Sequence, residues 1–341
     1  MIQRFFHRWE RRLNEVDTNR FVRPFEWGLD WLGLDSPEAA ADPLAAIERW
    51  STDTLADTDA FYRSPAPHDA ERQGNVLRFA SALTTGDVEN DTVVARIYEP
   101  AAKDRRPAAP RRAIVVLPQW NSDPQGHVGL CRLFARFGIT GVRLSLPYHD
   151  ERRPAHLARA EYIVSSNIGR TLQVNRQAVL DARGLVAWLT AHGYERVGIM
   201  GTSLGSCLAM LTMAHEPAIR AGAFNHVSPY FADVVWRGLS TWHVREGLEG
   251  HITPDALRRV WMPISPWPFI RRVDGRAVLL IYAKYDLTFP VDLSRVFVAE
   301  FDAQHVAHEV AVLPCGHYTT GKAPFKYLDG YALARFFLKR L

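Results

Sequence analysis

From residue 113 onward, short apolar runs alternate with longer segments of helical periodicity. Residues 113–117 and 197–200 are short apolar runs, the pattern of buried strands, and 140–146 reads as a further strand between them. Between them, 127–137 and 170–192 read as helices; 277–282 is another continuous apolar run, and 306–313 reads as a further strand. Strands and helices in alternation imply an α/β class with a mostly parallel sheet covered on both faces. Ahead of this pattern, 75–83 and 92–98 alternate apolar and polar side chains around Thr84-Thr85-Gly86-Asp87 and predict an antiparallel hairpin.

Residues 1–72 carry no strand pattern. They predict a helical, aromatic-rich extension (Trp9, Trp27, Trp31, Trp50), with helices starting after Ser36 and Asp42, each a capping residue before a proline. The remainder, 73–341, reads as one domain. Within it 228–272 breaks the alternation, and its aromatics, with Pro254, Pro263, Pro266 and Pro268 as breakers, predict a lid insertion.

Composition narrows the class. The chain of 341 residues, 23% charged and 47% hydrophobic, is globular rather than disordered. Its net charge of +4 is spread along the chain. The tightest basic clusters, His7–Arg12 and 105–112, form no recognised nucleic-acid motif and read as a solvated helix face and a loop, so no nucleic-acid partner is expected. Cys131, Cys207 and Cys315 are far apart with no Cys-x-x-Cys, which argues against a disulfide framework or zinc site; neither metal nor cofactor is expected. No secretory h-region and no apolar stretch of spanning length is evident, which predicts a cytoplasmic location. The basic first helix carries Ile2, Phe5, Phe6, Trp9 and Leu13 at helical spacing. Such a stripe suits peripheral contact with an anionic membrane or docking on its own domain, and docking is the preferred reading. The pattern sets no oligomeric state.

The candidate chemistry centres on Gly201-Thr202-Ser203-Leu204-Gly205. This segment follows an apolar strand and opens a helical run, the context of a nucleophile elbow. Glycines two before and two after the serine leave room where side chains would collide. A serine hydroxyl is a weak nucleophile at neutral pH and needs a base, and the base needs an orienting acid. Both occur downstream at strand ends. Asp286 lies just past the 277–282 run with Pro290 beyond it, and Pro314-Cys315-Gly316-His317 follows the 306–313 run.

In these motifs the chain resembles the α/β-hydrolase-fold serine hydrolases, over roughly residues 75 to 341. The resemblance implies Ser203 as nucleophile, His317 as general base and then acid, and Asp286 as the residue that orients His317. It also implies an oxyanion hole of two backbone amides. One is that of Leu204; the other is that of Trp120, with Gln119 as the alternative. Pro118-Gln119-Trp120-Asn121 departs here from the family's usual His-Gly, having no glycine. Asp233 is a second candidate acid, placed inside the lid rather than at a strand end.

The expected activity is hydrolysis of a small-molecule carboxylic ester with an apolar or aromatic acyl group. A thioesterase, amidase or acyltransferase on the same triad, a lipid hydrolase at a membrane surface, and a non-catalytic binding protein are the alternatives. Lid aromatics, Trp236 and Trp261 among them, are expected to line the acyl pocket. Tyr148 or His149, in the loop after the 140–146 strand, is a further candidate for substrate contact. His226, His243 and His251, in or near the lid insertion, read as structural or surface residues.

Overall fold

The computed structural model describes residues 1–104 and 109–341; part of the basic cluster expected at 105–112 therefore lies outside the described residues. Nine strands form one sheet: β1 (Glu71–Gln73), β2 (Val76–Ala80), β3 (Thr92–Tyr98), β4 (Arg112–Leu117), β5 (Thr140–Leu144), β6 (Arg196–Thr202), β7 (Ile219–Asn225), β8 (Ala277–Ala283) and β9 (Glu309–Leu313). Their order is β1-β2-β3-β5-β4-β6-β7-β8-β9. The six from β5 to β9 are parallel, and the first three join antiparallel at one edge. The expected hairpin is β2–β3, with Val76 opposite Arg96.

The runs in β4 and β8 are continuously apolar because both sheet faces are covered there. In β4, Ala113, Val115 and Leu117 enter one core, while Ile114 and Val116 enter the other. The first face packs on helices Ile168–Ala191 and Leu204–His215; the second packs on Val128–Arg136 and Phe325–Arg340. Asn167 caps the longest helix by accepting from the Arg170 N–H at 2.8 Å. Strand β9 begins three residues later than expected, because Val306 closes the preceding helix by donating to the Phe301 carbonyl.

Ser36 and Asp42 cap short helices as their sequence predicts, accepting from Ala39 and Ala45 N–H groups. Residues of the N-terminal segment reach the 228–272 insertion: Ser51 donates to the Val260 carbonyl and Tyr62 to that of Pro263. That insertion contains helices Phe231–Arg237, Trp242–Leu248 and Pro254–Val260.

The first helix, Ile2–Asn14, docks on the body through a different stripe from the expected one. Phe6, Glu10 and Asn14 are its buried residues, whereas Ile2 and Phe5 remain exposed. Phe6 stacks on Tyr285 at 4.7 Å. The inward polar residues have specific partners in the loop after β9. The Glu10 carboxylate accepts from the Tyr318 and Thr319 N–H groups and the Thr319 hydroxyl at 2.8–2.9 Å, and Tyr318 OH donates to Asn14. Hydrophobic spacing could not reveal a face held by hydrogen bonds.

Candidate active site

Parallel strands deliver their following loops to one edge of the sheet, where α/β proteins bind ligands. Ser203 follows β6, His226 follows β7, Asp286 lies beyond β8, and His317 beyond β9. The loop carrying Gln119 and Trp120 follows β4, the neighbour of β6.

Ser203 sits at φ 57°, ψ −121°, a strained conformation for a residue with a side chain. Its backbone is locked: Ser203 N–H donates to the Asn225 carbonyl, and the Ser206 hydroxyl donates to the Ser203 carbonyl. A Cβ on Gly201 would stand 1.8 Å from the Gly205 carbonyl oxygen, and one on Gly205 2.2 Å from that of Leu117. Both glycines are therefore required sterically.

Ser203 Oγ lies 3.1 Å from His317 Nε2, and His317 Nδ1 lies 3.0 Å from Asp286 Oδ2. Burial pulls the His317 pKa down, but the charge and hydrogen bond of Asp286 outweigh it, so the imidazole is raised above its ordinary value. Asp286 is itself buried, which opposes ionisation. The charge of His317 and the donors around the carboxylate override this and hold it well below the usual carboxylate range. Asp233 is elsewhere, in a two-bond pair with Arg258.

A second histidine shares the acid. His226 Nδ1 lies 2.7 Å from the same Oδ2, with its ring 4.2 Å from that of His317. Asp286 Oδ1 accepts from the Thr288 and Phe289 N–H groups. The carboxylate is thus held by four N–H donors, and burial together with the neighbouring His317 lowers the His226 pKa. His226, expected to be merely structural, belongs to this network. The available signal was its position one residue past β7, the strand beside the elbow strand.

His226, Asp286 and His317 offer ligand atoms within 4.8 Å of one another, a spacing that can hold a metal ion. Both histidine Nδ1 atoms are already turned to the same carboxylate oxygen, so coordination there would displace those hydrogen bonds.

Three backbone amides at the cavity, those of Leu204, Gln119 and Trp120, have no acceptor among the described residues. Leu204 opens its helix, so its N–H has no carbonyl one turn back. The Gln119 and Trp120 N–H groups donate to no other group among the described residues. The next amide, Asn121, is taken by His149 Nε2 at 2.9 Å. Since His149 Nε2 accepts, its proton is on Nδ1, which donates to the Pro147 carbonyl. Burial lowers the His149 pKa to about 4, consistent with this neutral form. Asn121 takes the left-handed conformation that glycine supplies elsewhere, and its Oδ1 accepts from Ala160 N–H. The loop is held without a glycine.

Ser203 and His317 line a cavity of about 920 Å³. The insertion contributes Tyr230, Phe231, Val234 and Val235 to its lining; Met210, Phe289 and Phe297 add further apolar surface. The aromatics expected there are placed differently. Trp261 is fully buried, donating to the Ile168 carbonyl, and Trp236 packs against the core rather than lining the cavity. Tyr148 is also fully buried, its hydroxyl on Asp87, and His149 supports the loop rather than the cavity wall. These rings fill space between elements, a distinction that composition does not carry. All three cysteines are free and buried; burial raises Cys131 and Cys315 to about 12, which leaves them as neutral thiols.

No protein-family model and no curated protein matches the sequence. Solved structures do resemble the fold. Acylaminoacyl peptidase from Pyrococcus horikoshii matches over 80% of this chain with 16% identity and a TM-score of 0.59, and this chain spans 42% of that protein. Acetyl xylan esterase 1 from Thermoanaerobacterium sp. matches over 87% of this chain and 93% of its own, with 14% identity and a TM-score of 0.56. The acetyl xylan esterase from Paenibacillus sp. gives 84%, 93%, 13% and 0.60 in the same order. The chain has the α/β-hydrolase fold. Among the described residues, no helix is long and apolar enough to cross a membrane.

Proposed function

We propose that this protein is a serine hydrolase that cleaves carboxylic esters with an apolar acyl portion through an acyl-enzyme on Ser203. The carrying observation is the unbroken relay from Asp286 through His317 to Ser203, at 3.0 and 3.1 Å, in the wall of a largely apolar cavity. In this reading His317 Nε2 takes the Ser203 proton as Oγ attacks the ester carbonyl. The oxyanion gathers on the Leu204 and Trp120 amides, which are fixed in advance by the elbow and by the His149–Asn121 contact. His317 then passes the proton to the departing alcohol, and water repeats the sequence on the acyl-enzyme. Asp286 keeps the His317 tautomer and stabilises the imidazolium.

The fold supports other acyl-transfer reactions on such a relay, so the site's chemistry carries the proposal. A neutral fluorophosphonate should label wild-type protein but not Ser203→Ala, and a panel of 4-nitrophenyl esters should be hydrolysed by unlabelled wild type but neither by Ser203→Ala nor by the labelled protein. A wild-type protein that neither labels nor turns over any ester would instead be a binding protein on a hydrolase scaffold.

A further inference from the structure

One wall of the cavity is cationic. Arg20 and Arg159 both line it, together with Trp120 and Tyr318. Neither is a surface arginine: Arg159 is 5% exposed, and the Arg20 side chain 4%. A buried guanidinium is costly unless its charge and donors are matched. Here the matching is incomplete. Arg20 donates to the Asn14 carbonyl, to Tyr318 OH and to Asp17, whose side chain is half exposed. Arg159 has no carboxylate within ion-pair distance among the described residues. Its hydrogen-bonding side-chain partner is Asn19 Oδ1, at a long 3.4 Å. Its guanidinium lies 5.1 Å from the centre of the Trp120 ring. The Nε of each arginine is buried and has no partner.

The neighbours offset this charge only in part: Asp17, which also lines the cavity, and Glu161 act on Arg159 from beyond ion-pair distance. Burial, then the nearby charge of Arg20, lowers the Arg159 pKa. His243, stacked on Trp120 at 5.7 Å, is driven down to about 3 by burial and by the same two arginines, and so is neutral. Tyr318, which accepts from Arg20, directly follows His317. The cationic wall is therefore one residue from the proposed base.

We propose that Arg20 and Arg159 form an oxyanion-binding subsite, and that the substrate is an ester bearing a carboxylate or phosphate group. This rests on the hydrolase reading above and narrows its substrate class. Two under-partnered guanidiniums in a largely apolar cavity recognise such a group by charge-assisted hydrogen bonds. The apolar lid side takes the hydrocarbon portion, so the preferred ester is amphiphilic.

The test compares matched ester pairs. Mono-(4-nitrophenyl) adipate against 4-nitrophenyl hexanoate places the charge on the acyl side. The 4-carboxyphenyl and 4-carbamoylphenyl butyrates place it on the leaving-group side. In one pair the anionic ester should exceed its neutral partner by about tenfold or more in kcat/KM, chiefly through KM. Arg159→Gln should bring that ratio close to one, and Arg159→Lys should keep most of it. Protection of Ser203 from a fluorophosphonate by phenyl phosphate or by phenylacetate tells which oxyanion is preferred. If Arg159→Gln does not fold, Arg20→Gln carries the same comparison. A wild-type enzyme that labels and turns over neutral esters but disfavours the anion in both pairs overturns the subsite and leaves the hydrolase standing; an unchanged ratio in the glutamine variant does the same. If the wild type does not label, the hydrolase reading falls. The subsite is then decided by calorimetry with phenyl phosphate, which must bind wild type and not Arg159→Gln.

Discussion

Glu10 ties the first helix to the loop that carries His317, and a double-mutant cycle with Gly316 tests that tie. The carboxylate is fully buried and accepts three hydrogen bonds, two from backbone amides. Hydrogen bonds to a charged group contribute about 1.5–3 kcal/mol each and do not add simply, so Glu10→Ala should cost roughly 3 kcal/mol. Gly316 lies against the same carboxyl: a Cβ built there would be 2.4 Å from Glu10 Cδ and 2.6 Å from Cγ and Oε1. Its φ is not in the left-handed region, so alanine brings no backbone strain. Gly316→Ala alone should therefore cost about 1–3 kcal/mol through overpacking. With Glu10 already truncated the clash is gone. The same substitution should then be neutral or stabilising by about 0.5 kcal/mol, through the reduced freedom of the unfolded chain. Urea unfolding of the four proteins measures the coupling, and ester turnover should fall in Glu10→Ala as the His317 loop loosens. Additive costs within about 0.5 kcal/mol, with turnover unchanged, would refute the argument.

Other outcomes follow from the same geometry. Asp286→Asn should cost about 10⁴ in turnover by removing the carboxylate charge and favouring the wrong His317 tautomer, while Asp233→Asn should cost less than about tenfold because its carboxylate serves Arg258; the reverse ranking would reassign the acid. Activity needs neutral His317, so kcat/KM should fall as pH drops through a pKa raised above that of ordinary imidazole. In His226→Ala, Asp286 loses a donor and its charge acts more fully on His317, so this acid limb should move to higher pH; a limb that stays or moves down argues against the shared carboxylate. Each methylene added to the acyl chain should improve kcat/KM by about fourfold, the equivalent of ~0.8 kcal/mol of burial, until the chamber fills. Phe231→Ala and Phe297→Ala should flatten that series, and Trp236→Ala should not, since its ring does not line the cavity.

The strand–elbow–helix segment was legible because its requirements are local. Gly201 and Gly205 exclude backbone collisions within a few residues of Ser203, and the apolar runs around them must be buried on both sides. The order of Asp286 and His317 at strand ends could likewise be read along the chain, although only folding brings them within hydrogen-bond distance. Other features depend on which side chains meet across the sheet edge. His226 reaches Asp286 across 60 residues, Glu10 reaches Thr319 across 309, and Arg159 joins Arg20 through neither periodicity nor motif. Trp236, Trp261 and Tyr148 show the complementary limit: an aromatic side chain suits a cavity wall and a core equally well by composition. Hydrophobic burial follows from the periodicity of a single segment, whereas a shared carboxylate or an under-partnered cation arises between segments. The first is written in the sequence, and the second exists only once the chain has folded.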